Sequence, residues 1–249
     1  MANPDFARGM AVSAIELSIV FGPLLVVGLT RRSKNLCVAA GLSVLLGLMQ
    51  LAIIYSPSIG FLAALKYNWL QKLASFALSL LWCKAASYNF RECGFVWPSR
   101  KIAFLWAFLI GTIICLPDLI LSLSELTKTT TETLLFELTM PGLQEEALYR
   151  GLMLFILDKY LGCPWRIFKV QFGWGSILST LFFTLGHLMM VDKQWHIQCS
   201  TDFLAWIDLI VFSFAMCWIR YRWGSIWPAV VAHNAGNSVI SIVSIFVGK

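Results

Sequence analysis

The sequence predicts an all-α fold, a polytopic membrane helix bundle of about eight transmembrane helices, on three observations. Of its 249 residues, 59% are hydrophobic and only 13% charged, about half the roughly 25% charge of a soluble domain, and the mean hydropathy is +0.76. Apolar runs such as Leu36–Ile54 and Ile102–Leu121 are unbroken and match the roughly 20 residues of a helical span, where a membrane barrel would alternate apolar and polar positions. Basic residues cluster in every second loop. These features exclude a disordered chain, a nucleic-acid-binding arm and an ordinary cytosolic globule. They make the lipid bilayer the first partner and give an integral, multi-pass location.

Taken in order, the predicted spans are 11–30, 36–54, 61–83, 102–122, 133–157, 172–190, 203–219 and 225–246. The first apolar run, Met10–Leu29, is longer than a signal-peptide core. It ends in Thr30-Arg31-Arg32-Ser33-Lys34, so it is expected to be a retained span with a basic stop. The third span is interrupted by Lys66, Asn68, Gln71 and Lys72. Loops 31–35, 84–101, 158–171 and 220–224 hold twelve Lys and Arg against five on the other side, with Lys72 and Arg150 inside spans. That alternation follows the positive-inside rule and places both termini on the non-cytoplasmic side. No linker or low-complexity tract interrupts the chain, which is expected to form one membrane domain, 1–249. Seven scattered cysteines without a CxxC predict free thiols rather than disulfides or a zinc ribbon.

A charge inside a bilayer is costly, so each in-span ionisable group is a functional candidate. Glu16, Lys72, Asp118, Glu137 and Asp208 stand singly and are expected to make ordinary interior or interfacial contacts. The fifth span differs: Gln144-Glu145-Glu146-Ala147-Leu148-Tyr149-Arg150 places two carboxylates and an arginine on one apolar helix. On an α-helix Glu146 and Arg150 share a face and can pair. Glu145 points about 100° away, without an obvious counter-ion, which suits a general base. His187 and His233 lie in two further spans, and His233 and Asn237 are one turn apart. Such a set can activate water with glutamate as base and His and Asn side chains facing an oxyanion. It can also bind a divalent metal such as zinc whose water is the nucleophile; spacing leaves both open.

At these residues the chain resembles the CaaX-protease and bacteriocin-processing (CPBP, Abi) family of intramembrane proteases. The family motifs EExxxR, FxxxH and HxxxN stand here as Glu145-Glu146-Ala147-Leu148-Tyr149-Arg150, Phe183-Thr184-Leu185-Gly186-His187 and His233-Asn234-Ala235-Gly236-Asn237. The resemblance implies a catalytic core at 130–245, with 1–129 as N-terminal spans, and hydrolysis of a peptide bond in a membrane-associated or lipidated substrate, a prenylated CaaX tail included. It implies that Glu145 is the base, that His187 helps hold water, that His233 and Asn237 stabilise the oxyanion, and that Glu146 and Arg150 are mainly structural. Tyr149 and Phe183, inside the motifs, are candidate substrate contacts. Weighing the metal alternative, the residues favour the metal-free route, because zinc would leave no second carboxylate clearly free to act as base. HExxH, GxGD and GxSG patterns of other intramembrane proteases are absent. The rival readings are a non-proteolytic scaffold or immunity protein of the same family and, third, a transporter.

Overall fold

A computed structural model describes residues 4–57, 64–123 and 126–248. Among these residues ten α-helices follow in order: α1 Pro4–Thr30, α2 Lys34–Ile54, α3 Trp69–Ala85, α4 Ile102–Ile114, α5 Leu116–Ser122, α6 Thr131–Glu146, α7 Leu154–Leu161, α8 Trp174–Leu188, α9 Phe203–Trp223 and α10 Trp227–Val247. A π-helical segment, Ala147–Met153, joins α6 to α7. Two antiparallel hairpins complete the chain: β1 Trp165–Ile167 with β2 Val170–Phe172, and β3 Met189–Val191 with β4 Ile197–Cys199.

The polytopic all-helical expectation holds. Among the described residues, five helices are long and apolar enough to cross a membrane: Phe6–Thr30, Lys34–Ile54, Ile102–Leu121, Phe203–Trp223 and Trp227–Val247. The other three expected spans are also helical, but shorter or more polar. The third begins only at Trp69, and its first three positions, 61–63, lie outside the described residues. The backbone N–H groups of Lys66 and Tyr67 donate to the Glu132 carboxylate instead of entering a helical ladder. The fifth runs through α6, the π segment and α7. The sixth shortens to 15 residues because its ends become strand: Phe172 closes β2, and Met189 and Met190 open β3. The first hairpin turns at Phe168 and Lys169, both at positive φ (47° and 65°), as a two-residue hairpin turn demands.

The chain divides into two compact units. In the first, Met1–Pro57 with Leu148–Phe214, α1 packs on α2 and α8, and α7 on α2 and α8. Aromatic contacts fill its interior, with Phe21 edge-on to Phe182 and Phe172 stacked on Phe214. In the second, Ser58–Ala147 with Ala215–Lys249, α10 packs against both α4 and α6, and α6 against α3. Small residues let these backbones close up, as in membrane bundles generally. A Cβ on Gly111 of α4 would stand 2.0 Å from the Ala232 carbonyl oxygen of α10, and one on Gly142 of α6 would stand 2.8 Å from that of Val230. Thr130 caps α6, its hydroxyl accepting from the Thr133 N–H. Trp227, at the start of α10, stacks on Trp97, while Ile226 N–H donates to Gly94 O. Among the described residues no disulfide joins the cysteines.

Candidate active site

Pro141 sits inside α6. Having no N–H, it cannot give Glu137 O its usual helical bond. One residue on, the Gly142 N–H donates to Asn234 Oδ1 at 2.8 Å, and Asn234 Nδ2 donates to Thr139 O at 3.2 Å. Asn234 therefore bolts α10 to α6 at the turn where both motifs stand. The C-terminal end of α6 then presents Gln144, Glu145 and Glu146.

The two glutamates have different partners. Glu146, fully buried, lies with its Oε1 2.8 Å from His233 Nδ1. A carboxylate only accepts, so Nδ1–H donates and Nε2 is directed away from Glu146. Glu145 is paired with Lys72, whose ammonium donates to Glu145 Oε1 at 2.6 Å and to Gln144 Oε1 at 2.9 Å. This corrects one expectation: Glu145 does have a counter-ion. Lys72 makes an interior polar contact because α3 brings it against α6, and spacing along one helix cannot reveal which partner it finds. Between these pairs, Glu145 Oε2 and His233 Nε2 stand 3.8 Å apart. A fifth titratable group joins them: the Glu137 carboxyl accepts a hydrogen bond from Asn237 and lies in the electrostatic field of His233, Lys72 and Glu145. Glu137 falls two turns before Glu145, and that spacing could have drawn attention to it. Asn237 itself is half-buried on α10.

The remaining predicted residues lie in the first unit. Arg150, fully buried, donates through Nη2 to Ser213 Oγ (2.8 Å) and Ser213 O (3.2 Å), and Ser213 Oγ donates on to Thr180 Oγ1 at 3.0 Å. Its guanidinium lies 4.7 Å from the Phe183 ring centroid and 5.6 Å from that of Tyr149, within cation–π range. Tyr149 and Phe183 are themselves buried and meet edge-on. His187 occupies the last turn of α8 with an exposed side chain, Nδ1 2.8 Å from Phe183 O and its ring against that of Phe183. Glu16 of α1 is buried, with Oε2 3.8 Å from where a Gly186 Cβ would stand, as is the Tyr149 hydroxyl. The predicted set thus falls into two groups: Glu145, Glu146, His233 and Asn237 in one unit, and Tyr149, Arg150, Phe183 and His187 in the other.

Residues 128–239 match the family described as type II CAAX prenyl endopeptidase Rce1-like. No curated protein and no solved structure matches the chain. All three motifs lie inside the matched residues, whereas Lys72 and Gly111 lie upstream of them. Segment 128–239, with its paired glutamates on α6 and its His-Asn motif on α10, is thus similar to the Rce1-like type II CAAX prenyl endopeptidase family, consistent with the CaaX-protease and bacteriocin-processing resemblance of its motifs.

Proposed function

We propose that the chain is an intramembrane endopeptidase that cleaves a membrane-associated protein or peptide, prenylated CaaX-type tails being the substrate class, with water activated by Glu145. The observation that carries this reading is the 3.8 Å separation of Glu145 Oε2 and His233 Nε2. It is too long for a direct hydrogen bond, so the two atoms face each other without bonding directly and both are directed to where a shared water would bind. In this reading Glu145 takes a proton from that water as its oxygen attacks the scissile carbonyl carbon. Negative charge grows on the carbonyl oxygen, and the donors that meet it in this reading are Asn237 and the doubly protonated form of His233, with Nδ1–H on Glu146 and Nε2–H toward the oxygen. Glu145 then returns the proton to the departing nitrogen as the C–N bond breaks. Glu146 holds the His233 ring, and Glu137 holds Asn237. The resemblance gives His187 the part of orienting water.

A zinc ion does not fit the arrangement well. Glu146 and His233 are turned to each other, Glu145 is turned to Lys72, and among the described residues no three His, Cys, Asp or Glu side chains gather as a metal site requires. The test is comparative peptidomics of membranes carrying wild type or Glu145→Gln, with both proteins quantified. Peptide release falling by about 100-fold or more at equal protein level is the expected loss of a general base. Equal release from both would refute the protease reading in favour of a scaffold.

A further inference from the structure

We propose that Lys72 is a positioning residue for Glu145, a role that rests on the protease reading above. It stands on α3, outside the family-matched segment, with a side chain only 12% exposed. A lysine so placed in an apolar helix is costly unless its charge is met. Here one ammonium grips two successive residues of α6, the Gln144 amide oxygen and one carboxylate oxygen of Glu145. Successive helical residues diverge by about 100°, so a single cation bonded to both fixes the Glu145 side chain in one rotamer. With Oε1 held, Oε2 is the oxygen directed toward His233 Nε2. The same cation offsets a crowd of carboxylates, since Glu137, Glu145 and Glu146 share this end of the unit and Lys72 acts electrostatically on Glu137 as well. Lys72 forms no bond to substrate; its part is to aim the base and to balance the charge around it.

A purely structural ion pair would show itself differently. Lys72→Met, Lys72→Arg and Glu145→Gln are purified in nanodiscs and assayed on the cleavage that distinguishes wild-type from Glu145→Gln membranes. If Lys72 aims the base, kcat of Lys72→Met per folded molecule falls by about 100-fold, the cost of a misplacement near 1 Å, while KM stays near wild type. Lys72→Arg, which keeps the charge, recovers most of the rate. Full kcat per folded Lys72→Met molecule, whatever its melting temperature, would overturn the proposal and leave the Glu145 reading intact. Cleavage surviving in Glu145→Gln would instead remove the base, and with it the role of Lys72. Should Lys72→Met not accumulate, Lys72→Cys is assayed before and after aminoethylation, which rebuilds an ammonium at the same place. Rescue by that reaction supports the proposal, and a folded protein without rescue refutes it.

Discussion

Gly111 offers the sharpest test of how the candidate site is held. It lies on α4, carries no chemistry, and faces the backbone of α10 at Ala232, one residue before His233. In Gly111→Ala the new Cβ would stand 2.0 Å from Ala232 O and 2.6 Å from its carbonyl carbon, both main-chain atoms that no rotamer change can move. Restoring an ordinary 3.4 Å contact requires α10 to retreat from α4 by about 1.4 Å. On its other side α10 meets α6, where the Gly142 Cβ position is already 2.8 Å from Val230 O. Retreat is therefore blocked and the strain falls on the polar pairs between those helices: His233–Glu146 at 2.8 Å and Asn234–Gly142 at 2.8 Å. Overpacking of this kind costs about 1–3 kcal/mol of stability, and a shift near 1 Å at the reacting groups costs about 100-fold in rate. The assay is thermal unfolding in detergent together with kcat for the released peptide. Gly111→Ser should behave alike, whereas Gly41→Ala, at a glycine with nothing within 4 Å of its Cβ position, should be silent. A Gly111→Ala protein with wild-type melting and kcat within about threefold, or 0.7 kcal/mol of barrier, would refute the close α4–α10 contact and the account of the site built on it.

Four further outcomes are expected. Glu146→Gln keeps an acceptor for His233 Nδ1–H but removes its charge; a charge-assisted bond exceeds a neutral one by about 1–2 kcal/mol, so kcat should drop by about 5- to 30-fold in a protein that still folds, and an unchanged kcat would show that the Glu146–His233 pair is idle. Ser213→Ala removes a buried acceptor from Arg150 and should destabilise by about 1.5–3 kcal/mol in reversible unfolding, against a change below about 0.5 kcal/mol if that contact is slack. Loops 84–101 and 158–171 should resist thiol labelling from outside intact cells, as the basic-residue pattern requires. The reporter there should be Phe168→Cys, at the 84% exposed tip of the first hairpin. The native Cys163 is unsuitable because burial, with Asp158 beside it, raises its thiol pKa to about 11. A raised thiol pKa means less thiolate, so Cys163 reactivity should appear only as pH climbs toward that value. Efficient outside labelling of Phe168→Cys would invert the topology.

Much of this architecture is legible in one dimension. Apolar run length finds the helices, because lipid asks only that a segment be apolar and satisfy its own backbone. The motif residues are legible because their spacing is set by single helices: His233 and Asn237 are one turn apart on α10, and Asn237 meets Glu137 while His233 meets Glu146 on the facing helix. What is not legible depends on distant partners. Lys72 is visible as a charge in an apolar span, but nothing in residues 61–83 reveals that α6 supplies its counter-ion. Spacing likewise does not reveal that the chain winds as a π-helix from Ala147 to Met153, nor that Glu146 meets His233 and Arg150 meets Ser213. The hairpins escape for another reason: Phe172, Met189 and Met190 are as apolar as the helix they flank, so hydropathy does not separate strand from span there. Asn234, quoted inside its motif and given no part, turns out to join α10 to α6 because Pro141 disturbs the ladder of the facing helix.

The placement of Gly111 and Lys72 bears on what can be transplanted. The family-matched segment contains the carboxylates, imidazoles and amides that the reaction would use, yet the surface against which α10 rests and the cation that grips Glu145 come from earlier in the chain. Residues 128–239 are thus a cassette with missing walls. A chimera that carries them behind another protein's leading helices would inherit every motif and still lack the groove that seats α10. To work, the donor helices would need a residue without a side chain at the depth of Ala232 and an ammonium or guanidinium within reach of Gln144 and Glu145. Those two requirements, one of shape and one of charge, are a stricter criterion for choosing such a partner than hydrophobicity or helix count.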